Sequence, residues 1–267
     1  MEPTCSCLIR KLEHFTLLSG EEKSALQQAC THVHRYSSKD DLVKEGDPTQ
    51  GVNLILQGFA CRYKLLADGR RQIVAFFLPG DMCDLRICLL KRMDHGIGTL
   101  TPVRAALLPR DSVLSLTERF PRLTRALWWS TLVEESITRE WVVNVGNRTA
   151  FERTAHLFCE VFLRLQVVGL PGENACDLPV TQTELADALA LSAVHVNRVL
   201  MEMRHMGLVT FRSQRLTIHD LDALRSAAGF NPAYLHLDGA GAAPAVELDR
   251  NTGLAPKRAA TAPAPTR

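Results

Sequence analysis

The sequence has no apolar run long enough to cross a membrane. Its longest runs, such as Ile73 to Leu78, are far shorter than the roughly 18–20 residues that a membrane helix needs. The first residues also lack the basic start and the apolar stretch of a secretory signal. We therefore expect a cytoplasmic protein without a membrane partner.

The sequence also has little excess of positive over negative charge, since the formal net charge of the 267 residues is only +2. Between Arg148 and Arg225 there is no lysine, and eight arginines stand against nine acidic residues. Overall charge therefore does not indicate a nucleic-acid partner, and any attraction to DNA must come from the local placement of a few arginines.

Motifs of catalysis are missing as well. No nucleophile–base pair, phosphate-cradling glycine loop or metalloprotease helix occurs in the sequence, which argues against an enzyme. Eight cysteines are present, but their irregular spacing in a chain expected in the cytoplasm favours reduced thiols over a disulfide framework.

Short strands are predicted between about Asp41 and Pro109. Glycines recur there every 11 to 12 residues and separate apolar segments: Gly46, Gly58, Gly69 and Gly80. Turn signals at this interval are typical of a sandwich or barrel, and Asp68-Gly69 suits a hairpin turn. Ahead of this region, Lys11 to Cys30 is predicted to be helical, with a helix start near Ser19.

A long helix is predicted after Pro121, which suits a first helical turn. Side chains recur there at intervals of three and four and form one stripe: Leu123, Leu127, Ser130, Val133, Ile137 and Trp141. A second apolar set, Trp128, Trp129 and Leu132, points elsewhere. A helix that is apolar on two faces must bury both, and we assign the first stripe to a dimer interface. The periodicity alone leaves open that this is a core helix of a monomer.

The most informative segment runs from Leu178 to Tyr234, after a helix from Ala150 to about Leu165 and a loop from Val167 to Leu178. Thr181 to Glu184 fits a capping box, and Ser192 caps a second helix about four residues after the first one ends. Two short strands then flank Arg212-Ser213-Gln214. This order predicts a helix-turn-helix followed by a wing.

The chain resembles the Crp/Fnr superfamily of bacterial regulators. The resemblance rests on Thr181 to Ser192, His195 to Leu200, Gly146 to Ala150 and the glycine-punctuated strands, and it covers roughly residues 10–235. It implies an α+β fold with a β-roll of the cyclic-nucleotide-binding type, a long dimerisation helix and a winged helix-turn-helix. The implied partners are double-stranded DNA, a second copy of the chain and RNA polymerase.

We accordingly divide the chain into four parts. These are the N-terminal helix and roll (1–110), the dimerisation helix (111–146), the DNA-binding domain (147–237) and an Ala/Pro-rich tail (238–267) that is predicted to be disordered. The resemblance implies that a signal in the roll shifts its packing against the long helix. The two recognition helices would then match major grooves about 34–36 Å apart.

In such a motif the second helix enters the major groove. We expect base contacts from Ala193, Val194, Asn197 and Arg198 with His195 nearby, phosphate contacts from Thr181, Gln182 and Ser192, and backbone contacts from Arg212 and Arg215. The best-known members carry a glutamate where this chain has Val194. Valine can offer only an apolar surface, for instance to a thymine methyl, so we expect a different half-site.

The sequence does not identify the signal that the roll reads. A cyclic-nucleotide site in this family needs a glutamate and an Arg-Ser or Arg-Thr pair. Alignment puts Met93-Asp94 at the pair and leaves Asp84 as the candidate for the glutamate. Because Asp94 would repel a phosphate, cyclic-nucleotide binding is not expected. The nearby cations Arg86, Lys91 and Arg92 are more typical of a solvated face.

An iron–sulfur cluster, haem and thiol redox sensing are the alternatives for the signal. A cluster needs about four thiolates, and Cys5, Cys7 and Cys30 do not reproduce the relatives' tighter N-terminal set. Cys61, Cys83 or Cys88 could complete a cluster in space, and the candidate haem ligands are His14, His32, His34 and His95. We expect no resident cofactor or metal. A winged helix used only for protein contact is the remaining alternative function.

Overall fold

The computed structural model describes residues 5–30, 32–48, 50–85, 89–170 and 172–237. Arg86, Cys88 and the predicted tail, 238–267, lie outside the described residues. Two helices, α1 (Ser6–Glu13) and α2 (Gly20–Ala29), come first. The predicted helical stretch is therefore divided, and the second helix begins after Ser19, whose side chain and that of Glu22 form a capping box.

Two four-stranded antiparallel sheets follow and make the roll. One has the order β1-β8-β3-β6 and the other the order β2-β7-β4-β5. The strands are β1 (His32–Tyr36), β2 (Asp41–Val43), β3 (Gly51–Gln57), β4 (Ala60–Leu65), β5 (Arg71–Phe77), β6 (Met82–Cys83), β7 (Gly96–Thr99) and β8 (Val103–Pro109). Leu54 and Ala106 of the first sheet share one core with Ala60 and Ile97 of the second.

The predicted glycine turns connect these strands. Gly58 has a φ of +86°, and a Cβ atom there would lie 2.3 Å from the carbonyl oxygen of Pro102. Only glycine fits such a position. The predicted hairpin turn joins β4 to β5, where the Leu66 N–H donates to the Arg70 carbonyl.

Two cysteines depart from the expectation of reduced thiols. Cys5 precedes α1, Cys30 follows α2, and the two form a disulfide. The fold brings their Cα atoms to within 6.8 Å of each other, which their separation of 25 residues in sequence did not indicate. Of the other described cysteines, Cys7 is half-buried and the rest are buried free thiols.

The segment predicted as one long helix is two helices, α3 (Arg110–Arg119) and α4 (Pro121–Gly146). Phe120 separates them with extended backbone, φ −127° and ψ 84°. A residue before proline is driven out of the helical region by the proline ring, which explains the break.

The stripe that we assigned to the dimer interface is buried within the chain itself. Its members, Leu123, Leu127, Ser130, Val133, Ile137 and Trp141, are all at most 7% exposed. The first two belong to the core of the roll, whereas Val133, Ile137 and Trp141 pack with the C-terminal domain. These six side chains therefore do not offer a surface to a partner, and that assignment is wrong.

A different face of α4 is exposed. Trp128, Leu132 and Val142 are 67%, 59% and 64% exposed, and Glu135 and Arg139 lie between them. We call these five residues the outer stripe. Successive members are separated alternately by four and three residues, which is the spacing of a coiled-coil seam.

The C-terminal domain combines helices with a three-stranded sheet of order β10-β11-β9. Its elements are α5 (Ala150–Val167), β9 (Ala175–Asp177), α6 (Gln182–Leu189), α7 (Ala193–His205), β10 (Val209–Arg212), β11 (Arg215–Ile218), α8 (Leu221–Ala228) and a 3₁₀ helix (Pro232–Leu235). Strand β9 lies in the segment expected to be a loop. Among the described residues, no helix is both long and apolar enough to span a membrane.

Candidate nucleic-acid interface

The helix-turn-helix begins at a capping box, as predicted. The Thr181 Oγ1 accepts from the Glu184 N–H at 3.2 Å, and the Glu184 carboxylate accepts from the Thr181 N–H at 2.7 Å. The Thr181 hydroxyl also donates to Glu184 at 2.9 Å. The Thr181 hydroxyl proton is therefore already engaged in the capping box. For Thr181 to donate to a DNA phosphate, as predicted, its hydrogen bond to Glu184 would have to break.

Thr181 also lies close to the roll. It lines a cavity of about 510 Å³ between α6 and the roll, opposite Asp41, Tyr63 and Arg71. Gln182 is also exposed, at the first position of α6, and it is not part of the capping box. Of these two predicted phosphate contacts, Gln182 is the better placed to approach a DNA backbone.

The turn between the helices depends on Ala190. This residue ends α6 in the left-handed conformation, with φ 51° and ψ 47°. The Leu191 N–H then donates to the Ala186 carbonyl, and Ser192 begins α7 by accepting from the His195 N–H at 3.2 Å. Three residues thus reverse the chain, which sets the crossing of the two helices.

Helix α7 buries one side and exposes the other. Val196, Val199, Leu200 and Met203 are buried in the domain core. Val194 is 73% exposed, and Asn197 and Arg198 are exposed one turn further along. These spacings place the predicted base-reading residues on one outward face, while Ala193 is half-buried and His195 is exposed beside it.

The same face carries a residue that the sequence analysis missed. Met201 is 61% exposed and lies seven residues, about two helical turns, after Val194. The family motif quoted above ends at Leu200, and the spacing of three and four continues beyond it to Met201. That spacing was the signal that could have found it.

The wing is the hairpin of β10 and β11. Its turn residues Ser213 and Gln214 have φ values of 49° and 60°, which is the geometry of a tight hairpin turn. Arg212 and Arg215 are both exposed beside this turn. The Arg215 guanidinium donates to the Asp177 carboxylate at 2.9 Å, but both side chains are more than half exposed, so this pair is weak.

A cavity of about 740 Å³ lies between the roll and α4. Asp84 and Asp94, the two positions at which the resemblance looks for nucleotide-holding groups, both line it. The two His95 ring nitrogens lie 2.7 Å from these carboxylates, one on each side, and Arg62 forms an ion pair with Asp84. Burial alone would raise the pKa of Asp84, but its bonds to His95 and the Arg62 charge hold that pKa below its usual value. The site therefore presents carboxylates at these two positions, while Arg62, Lys64 and Arg139 line other parts of the cavity.

The candidates for a metal or cluster are dispersed. Cys5 and Cys30 are joined to each other, and burial raises the pKa of Cys61 to about 12, which disfavours the thiolate that a metal binds. Within the described part of the chain, no group of three or more His, Cys, Asp or Glu side chains is arranged to hold a metal ion.

Comparison with known proteins matches both halves of the chain. Residues 33–120 match the cyclic nucleotide-binding domain, and residues 152–227 match the Crp-like helix-turn-helix domain. The nitrogen fixation regulation protein FixK of Bradyrhizobium diazoefficiens is 29% identical over 229 residues, which are 84% of this chain and 94% of FixK. The transcriptional activator protein FnrL of Cereibacter sphaeroides is 26% identical, over 84% of this chain and 90% of FnrL.

A solved structure agrees with these matches. The structure of FixK2 from Bradyrhizobium japonicum superimposes with a TM-score of 0.68 at 25% identity, over 74% of this chain and 98% of FixK2. The predicted α+β fold and the predicted family are thereby confirmed. The protein belongs to the Crp/Fnr superfamily, as a transcriptional regulator with a helix-turn-helix DNA-binding domain.

Proposed function

We propose that the protein binds a two-fold operator as a homodimer and reads each half-site with α7. The observation that carries this proposal is the outward face of α7, where Val194, Asn197, Arg198 and Met201 are exposed together. Arginine can donate two hydrogen bonds to guanine and asparagine can pair with adenine, whereas the valine and methionine offer apolar contact to a thymine methyl. Local placement of these groups compensates for the low charge of the domain.

The dimer would form through the outer stripe of α4. Trp128, Leu132 and Val142 expose apolar surface to solvent, and surface of this kind is stabilised by burial against a second helix. Glu135 and Arg139 lie at the middle of the stripe, where the Glu135 Oε2 is 3.8 Å from the Arg139 Nη1. In the dimer, Glu135 of one protomer would pair with Arg139 of the other.

The protein would regulate transcription by contacting RNA polymerase at promoters. This activity would take place in the cytoplasm. FnrL is named a transcriptional activator, and FixK a regulation protein. Transcription in vitro, with purified polymerase and a template that carries the selected operator, tests this step. A change in transcript level on addition of the protein is the expected result, and its sign distinguishes activation from repression.

DNA binding itself is tested by selecting operators from a random duplex pool and then measuring affinity against salt. We expect a palindromic site and a steep fall of affinity with salt, because bound phosphates release counterions. Arg198→Ala should lower affinity for the selected site by more than about tenfold and relax one base position. Arg212→Ala should weaken binding to all sequences and reduce the salt slope by about one.

The matched control is Arg35→Ala, which removes an exposed arginine from strand β1 of the roll. It should leave affinity and salt slope unchanged. Absence of any selected site, or an affinity that does not vary with salt, would instead support a winged helix used for protein contact.

The roll would read a signal other than a cyclic nucleotide. Asp84 and Asp94 already bind His95, and their charges oppose a phosphodiester in the cavity beside α4. Isothermal titration with cyclic AMP should therefore show no saturable binding at micromolar concentrations. Saturable binding in that range would contradict this part of the proposal.

A further inference from the structure

A buried set of charged side chains joins the roll to the DNA-binding domain. It centres on Asp81, in the turn between β5 and β6, which is 5% exposed. The Asp81 carboxylate accepts from Lys11 of α1 at 2.8 Å, from Arg164 of α5 at 2.7 Å and from the Leu78 N–H at 2.7 Å. One carboxylate of the roll therefore holds an N-terminal helix and the first helix of the C-terminal domain.

Arg164 is fixed on both sides of its guanidinium. Its Nη2 donates to Asp81 and, at 2.9 Å, to the Phe76 carbonyl oxygen of β5. Its Nη1 donates to Glu160 on its own helix at 3.1 Å. Because the guanidinium is planar and rigid, three acceptors in these directions determine how α5 is oriented against the roll.

Glu160 extends the set to two more elements. Its carboxylate is fully buried and accepts from the Trp141 indole N–H of α4 at 3.2 Å and from the Tyr234 hydroxyl of the 3₁₀ helix at 3.0 Å. Roll, long helix, α5 and the end of the described chain thus meet around two carboxylates and one guanidinium.

A second ionic contact between the domains offers a comparison. Arg71 of β5 lies 2.8 Å from Asp187 of α6, but these side chains are 33% and 23% exposed. Solvent screens such a pair, so it contributes little. Removing one member of the buried set leaves an uncompensated charge, which is far more costly. Of these two ionic contacts, the buried one is therefore the more costly to break.

We propose that Arg164 is a positioning residue for DNA recognition. Through its bonds to Asp81 and Glu160, Arg164 sets the angle at which each protomer presents α7 to its DNA half-site. Arg164 itself does not contact DNA. The proposal rests on the proposed two-fold binding of a homodimer. A dimer whose two recognition helices are held at fixed positions tolerates only one distance between half-sites.

The test measures how binding depends on that distance. Three operators are prepared with the selected half-sites, one with the selected spacing and two with one base pair added or removed between the half-sites. Affinities of the full-length dimer are measured by fluorescence anisotropy for wild type, Arg164→Met and Arg164→Lys. Thermal unfolding of each protein is recorded in parallel.

The wild-type protein should bind the operator with the selected spacing much more tightly than the two operators with altered spacing. Arg164→Met should reduce this preference by about tenfold, because domains that are no longer held can adapt to the altered operators. Arg164→Lys keeps the charge but cannot reach all three acceptors, so its preference should lie between the other two. Arg71→Gln, which removes the partly exposed Arg71–Asp187 contact, is the matched control and should keep the wild-type preference.

A purely structural role would lower affinity for all three operators by the same factor and leave the preference unchanged, and that result overturns the proposal. If Arg164→Met does not fold, Arg164→Lys decides by the same criterion. Failure of wild type to bind any of the operators would refute the proposed function instead, and the positioning role with it.

Discussion

At the scale of single residues, Val194 is the DNA-reading position at which this chain differs most clearly from the best-known members of its family. Its side chain is 73% exposed at the start of α7, where a base-reading residue is expected. A valine there has no hydrogen-bonding group, so it can favour a thymine methyl but cannot accept from cytosine.

Val194→Glu should therefore change the operator that is selected. A carboxylate at this position accepts from cytosine N4, so the contacted base should shift toward cytosine, with a preference of about 1–3 kcal/mol over the original base. Selection from a random duplex pool with each protein measures this. Met206→Glu, which adds the same charge at the exposed end of α7, is the control. An unchanged selected site in Val194→Glu would contradict the role of Val194.

Some residue-level features could be predicted because their causes are local. The helix start near Ser19 and the capping box at Thr181 were predicted from short segments, and the structure has a capping box at both positions. The pairing of Arg215 with Asp177 could not be predicted in this way, since 38 residues separate them in sequence. Only the sheet formed by β9 and β11 brings the two together.

At the scale of elements, α4 shows where periodicity stops being informative. Both of its stripes have helical spacing, so the sequence correctly predicts a helix with two apolar faces. Which of the two faces packs inward depends on where the roll and α5 lie. The periodicity of α4 carries no information about the positions of those elements. The assignment of the now buried stripe to a dimer interface rested on the helical spacing together with the family resemblance, and neither distinguishes the two faces.

Leu132→Glu should separate the protomers. Leu132 is 59% exposed in the outer stripe, and a carboxylate there would have to be buried against the second protomer in the proposed dimer. We expect the dimer dissociation constant to rise by more than about 100-fold, which sedimentation velocity measures. Leu17→Glu makes the same change at a leucine that is 66% exposed outside α4, and it should not alter assembly. A dimer that persists in Leu132→Glu would place the interface elsewhere.

The helix-turn-helix also contains a strained turn that can be relieved. Ala190 adopts a φ of 51°, where a Cβ atom is unfavourable and glycine is not. Ala190→Gly should raise the free energy of unfolding by about 0.5–1 kcal/mol, as measured by urea denaturation. Ala188→Gly, two residues earlier inside α6, is the opposite case and should destabilise the protein. A loss of stability in Ala190→Gly would show that the turn is not strained.

At the scale of the whole molecule, stability should depend on pH through Glu134 of α4, whose carboxylate lies 3.8 Å from the Arg62 guanidinium of the roll. Burial raises the pKa of this carboxyl to about 7, although the Lys11 and Arg62 charges lower it. The folded protein then holds this proton more tightly than the unfolded chain, where a glutamate has a pKa near 4.3. The contribution of Glu134 to stability therefore falls as pH rises from about 4.5 to about 7.

Glu134→Gln removes this titration. Relative to the variant, wild type should lose at most about 3 kcal/mol of unfolding free energy between pH 4.5 and pH 8, which denaturant unfolding at a series of pH values measures. The control is Glu118→Gln, at an exposed position of α3. Identical pH profiles for Glu134→Gln and wild type would contradict the prediction.

The order of the domains could be predicted from sequence, because glycine spacing, helical periodicity and the helix-turn-helix motif are each properties of short segments. Contacts between the domains could not. Asp81 and Arg164 are 83 residues apart, and neither belongs to a motif that names its partner. The disulfide of Cys5 and Cys30 was not expected either, because irregular spacing and an expected cytoplasmic location favour reduced thiols.

The position of Trp141 gives the protein an optical reporter of its own. Its indole lies edge-on to Phe76 at 5.6 Å and donates to the buried Glu160, so its emission depends on whether the two domains are in contact. Trp128 and Trp129 are the other two tryptophans of the chain. With both changed to phenylalanine, the fluorescence of one native residue would follow docking and separation of the DNA-reading half in real time, without an attached dye.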